Sequence, residues 1–518
     1  MKVLFVLRTS GFLRNFEGVI RELRRRGDAV VVAVENPNKR DSRYAVLVDE
    51  LRAEGVSFVK APRRTDAVGE AAVQVRLGLD YLRYFDQRYA EDSKLRARAA
   101  GAAPAVIRRL ADAPVMRSGR GRRALRRALL AFDAAAPVAP AIGKFLDRQM
   151  PDLLLVTPLV ELGAPQTDWI RAARARRIPT ALGVASWDNL TVKGGLREWP
   201  DRILVWNDAQ VREASEIHGV PAERLVATGA HTYDHWFDWQ PSRTREAFCT
   251  EVGLPAARPF LLYLCSSPFI APRETEFVRE WIGALRSSEH PELREAGVLV
   301  RPHPQHAAQW AGVDVADLGA AVVWPAAGAD PVEAASRSDF FDSMTYCAGV
   351  VGVNTSAQIE SAIAGRDVFT LLDPRFASTQ EGTLHFAHLA REDGGLLQVG
   401  HSPEEHRAQL SALLRGELDS RARRERFLEE FVRPNGLEVR SAPAFVTAIE
   451  DLRATAGPPS PAPARVLAVL AVVWKATPWR ALRALLSPTC RRRIAGLRQI
   501  SLRGPEPPRT VADLVPPA

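Results

Sequence analysis

Hydrophobic positions in this chain come as short unbroken runs separated by segments of helical spacing. Lys2–Leu7 is an apolar run of the kind a strand buried on both faces requires. A turn at 8–11 follows, and then Phe16, Val19, Ile20 and Leu23 recur on one helical face. Gly27 ends that helix and Ala29–Val34 reads as a second strand, so the chain opens with a β-loop-α-β unit. Strands expected at 152–157, 180–184, 202–206 and 225–228 alternate with helices over 168–177 and 208–218. The pattern loosens across 239–258 and restarts with a strand at 259–265 and an amphipathic helix over 273–286. Strands at 298–301, 321–324, 348–353 and 368–372 follow. The expected fold class is α/β, with two tandem Rossmann-like domains spanning 1–240 and 255–452.

Two segments depart from this alternation. Residues 94–150 form a basic helical insertion in the first domain, in which Arg108, Arg109, Arg117, Arg120, Arg122, Arg123, Arg126 and Arg127 are interleaved with Ala, Leu and Val. It reads either as a solvated helical surface or as a face resting on anionic lipid or a phosphorylated acceptor. Residues 453–518 turn to Pro, Ala and Arg, with a short apolar stretch at 466–474 between basic flanks. That stretch is too short to span a bilayer and long enough to lie on one, and a disordered tail is the plain alternative.

Composition narrows the class. A chain of 518 residues exceeds one ordinary core, and 46% hydrophobic with 25% charged residues is usual for a soluble globular protein. The net charge of +9 suits an anionic partner. Few aromatics interleave with the arginines, which speaks against nucleic acid. Cys249, Cys265, Cys347 and Cys490 form no CxxC pair, so neither a disulfide framework nor structural zinc is expected and a reducing cytoplasm fits. The expected location is the cytoplasm, at the inner face of the membrane if insertion or tail rests on lipid.

Candidate chemistry collects at predicted strand ends, where open α/β sheets bind ligands. Gly11 lies in the loop Arg8-Thr9-Ser10-Gly11, which is not a GxGxxG. Ser266 and Ser267 follow the strand at 259–265, with hydroxyls and amides suited to a diphosphate or to a plain turn. In Arg301-Pro302-His303-Pro304, two prolines stiffen the backbone around an imidazole beside a permanent cation. His303 so held can exchange a proton or hydrogen-bond a phosphate. In 350–369, Asn354, Thr355 and Ser356 precede a helix carrying Glu360: Thr355 or Ser356 can cap it while its amides face a phosphate, and Glu360 can take ribose hydroxyls. Gly382 and Thr383, in the polar run 380–385, read as a ligand loop or as ordinary surface.

Taken together, RPHP at 301–304, GVNTSAQIESAIAGRDVF at 352–369 and TGAHTYD at 228–234 resemble two-domain glycosyltransferases of the GT-B architecture. More narrowly they resemble the bacterial surface-polysaccharide group that includes CDP-glycerol glycerophosphotransferases and UDP-N-acetylglucosamine 2-epimerase-like proteins. The resemblance covers roughly residues 1–450. It implies a nucleotide-activated donor (a nucleotide sugar or CDP-alditol) bound mainly by the second domain, an envelope glycan or lipid-linked acceptor bound mainly by the first, and no cofactor or metal. His303 then sits near the donor phosphates, with Asn354, Thr355, Ser356 and Glu360 in the donor loop and helix. The aspartate and aromatic usual before the serines of glycerophosphotransferases are replaced by Gly352-Val353-Asn354, and the DSGG-like stretch of epimerases is absent.

The stretch SWDNLTVKGG at 186–195 follows a first-domain strand and packs many donors and acceptors around a tryptophan. Asp188 is the candidate general base for an acceptor hydroxyl, Trp187 a platform for a sugar ring and Lys193 an anion contact; alternatively Asp188 and Asn189 brace the loop. The leading function is therefore transfer of a sugar or alditol-phosphate unit, with Arg301, His303 and the amides after Asn354 neutralising the leaving diphosphate. The alternatives are a nucleotide-sugar 2-epimerase using Asp188, Asp342 and Glu360, and a non-catalytic protein of anionic lipid surfaces.

Overall fold

The computed structural model describes residues 1–36 and 44–455, so Cys490 and the expectations for the tail beyond 455 lie outside the described residues. The first sheet is entirely parallel. Its strands are β1 (Lys2–Leu7), β2 (Ala29–Val34), β3 (Ser57–Lys60), β4 (Leu153–Thr157), β5 (Thr180–Gly183), β6 (Arg202–Val205) and β7 (Leu225–Ala227), in the order β3-β2-β1-β4-β5-β6-β7. The second, also parallel, comprises β8 (Phe260–Leu264), β9 (Gly297–Arg301), β10 (Ala321–Val323), β11 (Gly349–Gly352), β12 (Val368–Leu371) and β13 (Gln398–Gly400), ordered β10-β9-β8-β11-β12-β13. The order reverses between β1 and β4 in one sheet and between β8 and β11 in the other. These are the two points where connections diverge and leave a crevice at the strands' carboxyl ends.

Both faces of the first sheet are covered, which is why its strands are apolar runs rather than alternating ones. Val3, Phe5 and Leu7 face Phe16, Val19, Ile20 and Leu23 of the helix Leu13–Arg25. Leu4 and Val6 face Phe145, Trp169 and Ile170 on the other side. The basic insertion is helical, as expected, but the helical run already begins at Ala67–Arg83 and continues to Pro140–Gln149. It is not a separate lobe. Lys94 Nζ donates to the Phe269 carbonyl of the second domain at 2.9 Å, and the Arg98 guanidinium lies 4.9 Å from the Phe269 ring.

The last described helix, Ser441–Thr455, returns to the first domain, where Phe445, Val446 and Ile449 share a core with Phe5 and Phe16. The sequence reading ran the second domain through 452 and did not include this return. Asp234, the aspartate of TGAHTYD, fastens it. The Ser441 and Ala442 amides donate to its two oxygens at 2.9 and 2.8 Å, and Arg433 Nη2 donates at 3.2 Å. A carboxylate placed this way satisfies first-turn amides that have no partner inside their own helix. Gly229, at φ +92°, lies so close to the returning chain that a Cβ there would fall 2.2 Å from Ser441 Oγ. No helix among the described residues is long and apolar enough to cross a membrane.

Candidate active site

The loop 186–195 is held from both ends. Asn189 Oδ1 accepts from the Ala185 and Ser186 amides, each at 3.2 Å, so Asn189 braces the turn. The single helical turn Asn189–Val192 leaves its last carbonyls unpaired within itself. Arg83, which ends the helix Ala67–Arg83, donates to the carbonyls of Leu190, Thr191, Lys193 and Gly194 at 2.7 to 3.1 Å. Asp80, one turn earlier, accepts from the Gly195 amide at 2.8 Å and the Gly163 amide at 2.7 Å. The density of polar groups in this stretch therefore serves first to fix the loop under the insertion.

What the loop presents to the second domain is Trp187 and Asp188. Trp187 is 3% exposed, donates from Nε1 to Ser356 Oγ at 3.0 Å, and meets the His385 ring edge-on at 4.9 Å. It is a bridge between domains, not an open platform for a sugar. Asp188 accepts from Ser186 Oγ at 2.6 Å and pairs with Lys193 at 3.2 Å. Burial alone would raise its carboxyl, but Lys193, His385 and the Ser186 hydroxyl hold it down at about 2. A group so acidic is a fixed negative charge at neutral pH, and its contacts with Ser186 and Lys193 fit the alternative in which Asp188 and Asn189 brace the loop.

From the second domain, the loop after β11 enters the same space. The Asn354 side chain donates to the Thr379 carbonyl at 2.7 Å and lies 3.3 Å from His385 Nε2. The expected hydroxyl cap is not formed: no side chain of Thr355 or Ser356 caps the helix Ala357–Ile363. Instead the Thr355 amide donates to Gln358 Oε1 at 3.1 Å, and the Ser356 hydroxyl is taken by Trp187. Glu360, one turn in, is pushed up to about 7 by burial, against the opposing pull of Arg14 and a bond from Trp236. His303 is pushed down to about 4 by burial and by Arg14, with Asp330 partly offsetting. The Gln305 amide donates to His303 Nδ1 at 3.1 Å, so the neutral ring carries its proton on Nε2. Glu360 and His303, from different strand ends, thus share one pair of charged neighbours: Arg14 of the first domain and Asp330, ion-paired to it across the cleft.

Other expected ligands are engaged elsewhere. Arg301 is 5% exposed and donates to Asp339 Oδ2 at 2.9 Å over the Phe340 ring, because the helix Ala334–Tyr346 brings Asp339 to the end of β9. Ser266 is fully buried: its amide donates to Glu274 at 2.8 Å and its hydroxyl accepts from the Asn354 amide at 3.4 Å. The Ser267 carbonyl accepts from Ile270 and Ala271, closing a turn. Thr383 Oγ1 donates to the Gln380 carbonyl at 2.9 Å, and the Gly382 amide to Ala377, so both shape their own loop. Gly11 sits in the turn Ser10–Phe12, where a Cβ would make only ordinary contacts. Asp342 is spent on Ser242 and Arg243.

Sequence reasoning did not single out three groups that border this space: Arg14, Asp330 and His385. Arg14 follows the Arg8–Gly11 loop by three residues and His385 ends the 380–385 run, whereas Asp330 lies beside no motif. His385 is 5% exposed, its Nδ1 has no partner among the described residues, and burial pushes it down to about 4 while Asp188 opposes. Among the described residues no group of three or more His, Cys, Asp or Glu is placed to hold a metal ion.

A cavity of about 380 Å³ opens at the first sheet's reversal point, between the loops after β1, β2 and β4 and the start of the helix Ala67–Arg83. Arg8, Arg64, Glu35 and Glu70 meet Val73 and Leu162 there. A more open cavity of about 670 Å³ adjoins it, with Lys60, Arg63 and Arg148 in its lining. Of the candidate loop Arg8-Thr9-Ser10-Gly11, Arg8 lines the first cavity; Gly11 and the other site residues read from the sequence line neither. Glu35 accepts from Trp169 Nε1 at 2.8 Å and pairs with Arg8 at 3.2 Å; burial still raises its carboxyl.

No protein-family model matches the chain, and no curated protein matches it in sequence. Solved structures do. A glycosyltransferase from Rickettsia africae ESF-5 superimposes with a TM-score of 0.50 at 10% identity, over 87% of this chain and 98% of its own. UDP-GlcNAc 2-epimerases from Methanocaldococcus jannaschii and Neisseria meningitidis, the latter bound to UDP-GlcNAc, give 0.49 at 11% and 10% identity, over 87% of this chain and all of theirs. At such identity the likeness concerns architecture alone. The chain has the GT-B fold, two Rossmann-like domains facing one another across a cleft.

Proposed function

We propose that the protein is a transferase that takes a sugar or alditol-phosphate unit from a nucleotide-activated donor held in the interdomain cleft. The observation that carries this reading is the Arg14–Asp330 ion pair that spans the two domains at 2.5 Å, a pair whose charges bear on both His303 and Glu360. As the bond to the transferred group breaks, negative charge grows on the departing nucleotide: a nucleoside diphosphate when a sugar is transferred, a nucleoside monophosphate when an alditol phosphate is. Arg14, Lys193 and the Nε2–H of His303 are the groups that would meet it, and preorganised donors of this kind act where charge develops. Glu360, populated in both protonation states near neutral pH, takes the proton of a reacting hydroxyl. Asp188 keeps its charge and holds Lys193 in place.

The first-domain cavity is the proposed acceptor pocket. Its arginines suit a phosphate or carboxylate, its carboxylates suit hydroxyls, and Val73 and Leu162 suit apolar surface, a combination that fits an envelope glycan or a lipid-linked acceptor.

The test is a thermal-shift screen against UDP-, CDP-, GDP- and dTDP-linked compounds, followed by incubation with the labelled donor that binds. A ligand bound only by the folded protein raises its melting temperature by mass action. Nucleotide release that requires an added acceptor supports the transferase. Conversion of the donor to its epimer with no acceptor present replaces it with the epimerase reading. No shift with any nucleotide-linked compound refutes both.

A further inference from the structure

The insertion ends in a corner that the cleft does not use. Three of the eight large apolar side chains exposed among the described residues fall within ten positions of one another: Val106 at 44%, Leu110 at 44% and Val115 at 78%. Val106 and Leu110 stand one turn apart on the helix Ala105–Asp112, opposite the buried Ile107 and Ala111. Val115 lies on the next turn, Pro114–Arg117. The arginine-rich helix Gly119–Ala134 begins against it so closely that a Cβ on Gly121 would fall 2.4 Å from the Val115 carbonyl.

On that helix Arg120, Arg123 and Arg127 follow at three- and four-residue spacing, which puts them on one stripe, and all three are exposed. None of them forms an ion pair with another described residue. Between 105 and 127 the sequence has eight arginines and one acidic residue, Asp112. Isolated apolar side chains on a surface need no explanation; a cluster of them rimmed by uncompensated cations marks a contact surface.

We propose that this corner docks on an anionic lipid bilayer, with Val106, Leu110 and Val115 entering the headgroup boundary and the arginine stripe lying against lipid phosphates. Charge complementarity selects the occupant. Guanidinium groups pair with phosphate oxygens in a planar, two-pronged way and are weakly hydrated, so they tolerate the interface. Short apolar side chains among them suit the shallow acyl boundary. The proposal stands whether or not the cleft binds a nucleotide.

The experiment is flotation of the full-length protein with vesicles of phosphatidylcholine containing about one-third phosphatidylglycerol. Pure phosphatidylcholine serves as the control, at low salt and at high salt. One variant carries Arg120→Glu, Arg123→Glu and Arg127→Glu; the other carries Val106→Ser, Leu110→Ser and Val115→Ser. All six positions are exposed, so both variants should melt with the parent. The expected result is binding to the anionic vesicles alone, weakened by salt. The charge reversal should reduce it by roughly a hundredfold or more, at about 1 kcal/mol per basic residue near such a surface. The serine variant should reduce it by roughly tenfold.

Failure of the parent protein to float with anionic vesicles would overturn the proposal. So would undiminished flotation of both variants, which would place the contact on another part of the chain, or binding that follows an acidic protein and not the vesicles.

Discussion

Burial alone would raise both Glu360 and Asp188, yet they end about five pH units apart, at about 7 and about 2. The difference lies in their neighbours. Asp188 has an ammonium group and a hydroxyl in direct contact, whereas Arg14, the cation near Glu360, is already paired with Asp330. Glu360→Gln is expected to lower turnover by about two to four orders of magnitude, the range for losing a positioned base. It should also abolish a rise in kcat/KM with pH whose midpoint is near 7; the pH–rate profile of parent and variant checks this. Asp188→Asn should cost less than about tenfold in turnover, and a loss of a hundredfold or more would return the base to Asp188. Strand-end motifs brought the sequence reading to loops that meet between the two domains. They did not show orientation. Arg301 and Thr383 have the chemistry of ligands, but Asp339 and the Gln380 carbonyl engage them first. His385, the last residue of the 380–385 run, and Arg14, three residues past the Arg8–Gly11 loop, also reach the space between the domains.

At the scale of elements, parallel strands buried on both faces leave an unmistakable apolar run, and those expected in both domains are present. The helix Ser441–Thr455 was harder, because an amphipathic pattern says that one face is buried and not in which core. Only its cap reveals where it belongs, and that cap lies about two hundred residues earlier in the chain. Asp234→Ala removes the acceptor of two helix amides and leaves Arg433, 4% exposed, without its carboxylate. Losing one partner of a buried pair typically costs roughly 3–5 kcal/mol. The variant should melt several degrees below the parent, a drop that differential scanning calorimetry would register. Arg83 gives the same lesson for the 186–195 loop. It ends the helix Ala67–Arg83, ahead of the 94–150 insertion and outside every motif, and its work is to close a helical turn in another part of the domain.

For the molecule as a whole, buried titratable groups set a pH window. His218, His231 and His235 are pushed down to about 3, and His303, His385 and His406 to about 4, each chiefly by burial. In the unfolded chain they titrate near 6.5. The unfolded state therefore binds more protons below that point, and stability is lost as pH falls from about 6.5 towards 4. Glu360 and Glu274 behave in the opposite sense. Burial raises them to about 7 and about 8, so the folded state holds protons that the unfolded state has released, and stability is lost as pH rises from about 4.5 towards 8. The melting temperature should peak near neutral pH, where the two sets of groups balance, and fall more steeply on the acid side, where six groups act together. A thermal-unfolding series from pH 4 to 9 tests the shape, and a flat profile across the acid limb would contradict the burial of these imidazoles.

The return of the final helix also decides how the two halves can part. The polypeptide passes between them twice, and the passages are fastened side by side: the Ala230 amide donates to the Val432 carbonyl at 2.8 Å, the Asn207 side chain to the Phe431 carbonyl at 2.7 Å, and the Ser441 amide of the re-entering segment to Asp234 at 2.9 Å. Because the two passages are tied to each other they act as one hinge line and not as two independent linkers, so any parting of the halves would have to break the Trp187–Ser356 bond and the Arg14–Asp330 pair on the far side of it.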